Sequence, residues 1–157
     1  MKCYFLRHGI AVEPEDWSGT DFDRPLTEKG TKQMARAAKS IAALGLKLDA
    51  IVTSPLVRAK QTAKLVASAI DMDPIEDARL GGGFGPGRLA EVLADHPAAE
   101  SILLVGHEPA ISRTVAYLCG EVNLDYKKGT LARIDVPNRA TLHGTLVWLI
   151  PAKALAL

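Results

Sequence analysis

The sequence predicts a three-layer α/β/α sandwich, with helices on both faces of a largely parallel central sheet and one antiparallel edge strand. Three observations carry that expectation. Short, continuously apolar runs alternate along the chain with longer stretches whose apolar residues recur at helical spacing. Strands alternating with helices imply crossover units and a sheet covered on both faces. The 157 residues show no internal repeat and no linker, which fits a single domain over residues 1–157.

Residues 3–7, Cys-Tyr-Phe-Leu-Arg, read as a short buried strand. Residues 10–26 follow as a long polar loop with Pro14, Gly19 and Pro25. Thr27 is the expected N-cap of a helix carrying Met34, Ala38, Ile41 and Ala42 on one face, and Gly45 ends it. Residues 49–53 form the second strand. Ser54 then reads as a cap, with Pro55 at the first position of a helix whose apolar face is Leu56, Ala59, Ala63, Val66, Ala67 and Ile70. Residues 75–78 are a weak strand, and the glycine run 81–87 is a loop. A short helix with Leu89, Val92 and Leu93 closes at His96-Pro97. Residues 102–106, Ile-Leu-Leu-Val-Gly, are the clearest buried strand, and His107-Glu108-Pro109 opens a helix with Ile111, Val115 and Leu118. Residues 131–136 and 145–150 are two last strands, whose short connection suits antiparallel pairing.

Composition narrows the function classes. Nineteen Lys and Arg oppose eighteen Asp and Glu, for a net charge of +1. That balance argues against a strongly basic nucleic-acid binder, and Lys127-Lys128 reads as a solvated pair. Cys3 and Cys119 form no spaced motif, so neither a structural zinc site nor a disulfide framework is supported. The apolar run before Arg7 is too short for a signal-peptide core, and no stretch approaches the roughly 20 apolar residues of a membrane span. A cytoplasmic protein that binds neither membrane nor nucleic acid is the expectation.

In an open α/β sheet, ligands sit beyond the carboxyl ends of the strands. Three polar segments leave from those ends: Arg7-His8-Gly9, Ser54-Pro55 with Arg58, and Gly106-His107-Glu108. An imidazole can be a nucleophile, an acid, a base or a metal ligand. An arginine fork suits phosphate oxygens, and a helix start attracts anions. Gly9 would allow a sharp turn and close approach of a ligand. His96 and His143 read as surface residues. No HxH or HExxH pattern points to a metal, and the glycine run fits neither GxGxxG nor the phosphate-loop pattern.

Taken together, the blocks Leu6-Arg7-His8-Gly9, Arg24-Pro25-Leu26-Thr27 with Gly30, Ser54 to Ala59 with Gln61-Thr62-Ala63, and Val105 to Pro109 resemble the histidine phosphatase superfamily, the phosphoglycerate mutase-like group. The small size and the Arg-Pro-Leu-Thr block look like its SixA-type branch of phosphohistidine phosphatases. The resemblance implies that His8 is a nucleophile that becomes transiently phosphorylated. It implies that Arg7 and Arg58 grip the phosphoryl group, and that His107 contacts the same group and stabilises the transferring charge. Arg24 falls in a matched block and is placed near the phosphate pocket. Glu108 is the candidate proton donor, with Glu76 and Asp77 as further carboxylates. No metal and no cofactor is implied. The expected partner is a phosphorylated protein domain bearing phosphohistidine, with phosphate as product. A small-molecule phosphomonoesterase on the same site, and a non-catalytic phosphate-binding module, are the alternatives. Two arginines and a cationic His107, held so by bound phosphate, would supply the positive charge that phosphoryl transfer needs. His8 must present a neutral nitrogen, with a backbone carbonyl available to hold its other ring N–H.

Overall fold

A computed structural model describes all 157 residues. Its strands are β1 (Lys2–Arg7), β2 (Ala50–Thr53), β3 (Ile75–Glu76), β4 (Ser101–Gly106), β5 (Leu131–Asn138) and β6 (His143–Ile150). Its helices are α1 (Glu28–Ala43), α2 (Val57–Ala69), α3 (Pro86–Asp95), α4 (Ala110–Leu118) and α5 (Ala152–Leu155). The strands make one sheet in the order β3-β2-β4-β1-β5-β6. β1 to β4 run parallel; β5 runs against β1, and β6 returns beside β5 as the outer strand of a hairpin. The reversed strand is therefore one place in from the edge, because a hairpin adds its second strand outside the first.

Side-chain alternation builds the two cores. In β1, Cys3 and Phe5 face one way and Tyr4 and Leu6 the other. The first face packs on Leu89, Val92 and Leu93 of α3 and on Ile111, Val115 and Leu118 of α4. The second packs on Met34, Ala38 and Ile41 of α1, on Ala63 and Val66 of α2 and on Leu155 of α5. All six residues of β4 are buried, as a strand covered on both faces requires. This central strand explains the unbroken apolar run at 102–105.

Two helix starts differ from expectation. Thr27 caps α1 as expected, its Oγ1 accepting from Gly30 N at 2.9 Å, and Gly45 follows the helix with φ +63°. Ser54 does not cap α2, which begins only at Val57. Ser54 N still donates to Val105 O at 3.0 Å, so the residue belongs to the end of the sheet and cannot enter the helix. Its Oγ accepts from Leu56 N in a local turn. Likewise α4 begins at Ala110, so His107 and Glu108 occupy the strand-to-helix turn. The glycine run is shorter as a loop than its composition suggests, because Pro86 opens α3.

Residues 10–26 form a closed excursion. An Ala11–Leu26 bridge and the Val12 N to Pro25 O bond join its two ends. Two 3-10 turns, Pro14–Asp16 and Asp21–Asp23, shape it. The excursion lies so close to α1 that a Cβ on Gly30 would collide with the Ile10 carbonyl.

Candidate active site

The strand order sets the site. β4 lies between β2 and β1, with Arg7 opposite Gly106 and Thr53 opposite Val105. The next residues of the three strands are therefore His8, His107 and Ser54, in a row across the carboxyl end of the sheet. The rings of His8 and His107 are 5.2 Å apart, centre to centre. His107 Nε2 is 2.8 Å from Ser54 Oγ.

His8 is buried, and its backbone N–H donates to Gly106 O at 3.0 Å. Its Nδ1 is 2.7 Å from Gly9 O. A carbonyl only accepts, so Nδ1 carries the proton in that bond, and Nε2 is left with the lone pair. Burial pushes the His8 pKa from 6.5 down to about 3; the bond to Gly9 opposes the shift, while His107, Arg58 and Arg7 add to it. Gly9 serves packing rather than ligand approach. A Cβ there would stand 2.5 Å from Met34 Cγ, and its N–H donates to Thr62 Oγ1 at 3.1 Å.

His107 is also pushed down, to about 4, first by burial and then by Arg58, with Asp21 opposing. In the free site near neutral pH both imidazoles are therefore uncharged, and the cationic His107 expected from sequence requires an incoming anion. Arg7 and Arg58 remain the fixed charges, both held below their ordinary range by burial. Arg7 Nη1 donates to Tyr126 O at 2.8 Å. Arg7 Nε, Arg58 Nε and His107 Nδ1 are buried without a protein partner. Three polar atoms from three of the four sequence-predicted residues thus keep hydrogen-bonding capacity.

Arg58 lies in the first turn of α2 and brings in a residue that sequence reasoning missed. Its Nη1 donates to Asp21 O at 2.7 Å and its Nη2 to Asp21 Oδ2 at 3.1 Å. Arg24 holds the other carboxylate oxygen, with Nε at 3.1 Å and Nη2 at 3.0 Å, and sends Nη1 to Val12 O at 2.7 Å. Arg24 thus stands one carboxylate away from Arg58. Burial works against the Asp21 charge, but the bonds from Arg24 and Arg58 win and hold its pKa below the carboxylate range. The i, i+3 spacing of Asp21 and Arg24 is the one sequence signal of this link.

The carboxylates considered as proton donors are all engaged. Glu108 Oε1 accepts from Ser112 N at 2.8 Å at the start of α4. Asp77 is clasped by Arg79, which lowers its pKa, and Glu76 pairs with Lys60 at 3.0 Å. No group of three or more His, Cys, Asp or Glu side chains is placed to hold a metal ion. No helix is long and apolar enough to cross a membrane.

Known proteins resemble the chain over most of its length. The model of the histidine phosphatase superfamily (branch 1) matches residues 3–82. A phosphohistidine phosphatase SixA homolog of Haemophilus influenzae is 31% identical over 85% of this chain and 87% of its own. Phosphohistidine phosphatase SixA of Escherichia coli is 24% identical over 94% of this chain and 92% of its own. A solved structure of the protein histidine phosphatase SixA complexed with tungstate superposes with a TM-score of 0.87 at 23% identity, covering 99% of both chains.

Proposed function

The chain belongs to the histidine phosphatase superfamily, on its SixA-type branch, and from that premise we propose that it hydrolyses phosphohistidine on a protein. His8 Nε2 attacks phosphorus in line with the leaving imidazole nitrogen. The P–N bond to the substrate breaks as the bond to Nε2 forms, and a phospho-His8 intermediate results. Water then attacks the same phosphorus, releasing inorganic phosphate and returning the electron pair to Nε2. The observation that carries this reading is the buried, uncharged His8, with Nδ1 tied to Gly9 O and Nε2 left as the nucleophilic lone pair.

The surrounding groups act by charge. Arg7 and Arg58 turn their donors toward the equatorial oxygens, and no metal is required to neutralise them. Arg58 exchanges Asp21 for the phosphoryl group as it binds. A dianion between the arginines raises the His107 pKa, so that His107 becomes a cation only where the transferring charge needs it. The engagement of Glu108, Glu76 and Asp77 favours phosphohistidine over a phosphate ester. Imidazole leaves far more readily than an alkoxide, so this substrate makes little demand on a carboxylic acid. A soluble cytoplasmic setting, with a phosphoprotein as partner, follows from the same reading.

The test is rapid quench with a phosphohistidine protein in the absence of added metal. Labelled phosphate should appear on the enzyme before release, and the His8→Ala variant should neither trap label nor turn over. Turnover by His8→Ala at the wild-type rate refutes the mechanism. Faster turnover of small phosphate esters than of phosphohistidine assigns the site to a phosphomonoesterase instead.

A further inference from the structure

We infer that a basic groove running from Arg7 onto α1 docks the acidic flank of the phosphohistidine protein, which makes the enzyme selective for phosphohistidines set among aspartates and glutamates. This rests on the function proposed above and names the chemistry of its partner. Two surface depressions carry the inference. One, of about 380 Å³, has Arg7, Lys127, Lys128 and Lys153 on its walls. The other, of about 530 Å³, lies along α1 and is walled by Lys29, Lys32, Arg36 and Lys153. Gln33 and Lys153 belong to both, so the two depressions adjoin, and the first of them reaches Arg7.

The cations are held at fixed positions relative to the reacting histidine. Gly129 N donates to Arg7 O at 3.1 Å and to His8 O at 3.0 Å, and Arg7 Nη1 binds Tyr126 O. These bonds clamp the segment bearing Lys127 and Lys128 to the end of β1. Lys153 rides on α5, whose Ala152 is buried beside Gly129. Lys29, Lys32 and Arg36 recur at helical spacing on one face of α1, a row about 10 Å long. Such a row is too extended for one phosphoryl group and suits a string of carboxylates. Three cations already have acidic neighbours: Lys32 pairs with Glu28, Lys127 with Asp125 and Lys128 with Glu13. Lys29, Arg36 and Lys153 have no carboxylate within ion-pair distance and remain available.

The far side of the mouth has the opposite sign. The loop that carries Asp21 to Arg58 also bears Glu15, Asp16 and Asp23, beyond the Glu13 that pairs with Lys128. A uniform polyanion such as nucleic acid would be attracted on one side and repelled on the other. A protein whose acidic residues lie on one side of its phosphohistidine meets both sides without repulsion. This also explains how a chain of net charge +1 can favour an acidic partner.

Three synthetic phosphohistidine peptides test the inference. They share a core and differ only in flanking residues: Asp and Glu, Asn and Gln, or Lys. The expected result at low salt is a KM about tenfold lower for the acidic peptide than for the neutral one, with kcat unchanged, and a lysine peptide that is worst. The advantage should vanish in a K32E/R36E/K153E variant, while phosphoramidate, too small to reach the groove, is turned over at the wild-type rate. Equal KM values for the three peptides, or an acidic preference that survives the triple charge reversal, overturns the inference. So does stronger inhibition by a short DNA duplex than by an acidic peptide of equal charge. Fluorescence anisotropy of the unphosphorylated peptides separates this inference from the function itself. Charge-selective binding, with no turnover of any phosphohistidine, refutes the activity and keeps the groove.

Discussion

Replacing His8 by Gln should flatten the pH dependence of stability, and the size of the effect follows from its burial. The folded chain holds His8 at about 3, against 6.5 for the exposed residue. A depressed folded pKa means that the unfolded chain takes up a proton first. The stabilisation is therefore complete above about pH 6.5 and is lost as pH falls toward 3. Each unit of pH inside that window costs about 1.4 kcal/mol for one proton. Between about pH 7.5 and about pH 4.5 the loss through His8 alone is about 2.6 kcal/mol, a large part of a typical 5–15 kcal/mol stability. The assay is urea unfolding at the two pH values in a phosphate-free buffer, because a bound anion would stabilise the protonated rings. Wild type should lose about 2.6 kcal/mol more than H8Q on acidification. Equal losses in the two proteins would mean that His8 titrates in the folded chain as it does in the unfolded one, and the argument that burial depresses it would fail.

Three other perturbations have outcomes set by named contacts. Asp21→Asn removes the charge that Arg58 and Arg24 share but leaves the Asp21 carbonyl bond. The carboxylate is largely exposed, so inorganic phosphate should inhibit only about two- to fivefold more strongly, read as a product-inhibition constant. Ser54→Ala strips His107 Nε2 of its partner in a buried setting. A loss of about 1.4 kcal/mol there should lower kcat about tenfold with KM little changed, and a shift in KM alone would deny Ser54 a positioning role. Gly30→Ala forces a methyl into the Ile10 carbonyl and should destabilise the fold by about 1–3 kcal/mol in urea melts.

What the sequence disclosed and what it hid divide along a physical line. Both core faces followed from periodicity, because Met34, Ala38 and Ile41 on α1 and the run 102–105 are buried by the same alternation that made them readable. The four residues His8, Arg7, Arg58 and His107 were legible as short blocks after apolar runs, since strand ends are local features. The pairing of Ser54 with His107 was not legible, because it depends on β4 inserting between β1 and β2, a fact of strand order alone. Asp21 was hidden for a related reason: it reaches Arg58 across 37 positions of chain through a folded excursion that composition describes only as polar. Ser54 was misread as a helix cap because serine before proline is a sound local signal. It was overridden by a sheet hydrogen bond from Ser54 N to Val105 O that no local signal carries.

The proposed reaction, phosphoryl transfer with a histidine nucleophile, carries a tension that the site would resolve. Strong positive charge is needed on the phosphoryl oxygens, yet a nucleophilic imidazole must be unprotonated. Carboxylates around His8 would raise its pKa and defeat it. Around His8 the balance runs the other way: burial, His107, Arg58 and Arg7 lower its pKa, and the bond to Gly9 O only partly opposes them. Asp21 acts on Arg58 and His107 instead. Its place on Arg58 keeps that buried guanidinium compensated and oriented before substrate arrives, which limits the reorganisation left for the transition state. In the proposed reaction the phosphoryl group would then find two cations already aimed and two neutral rings, one to attack and one able to become charged. That order of events requires the row Ser54, His107, His8, and the row in turn requires the strand order β2-β4-β1. Moving β4 to an edge would leave the same four blocks in sequence with no shared site.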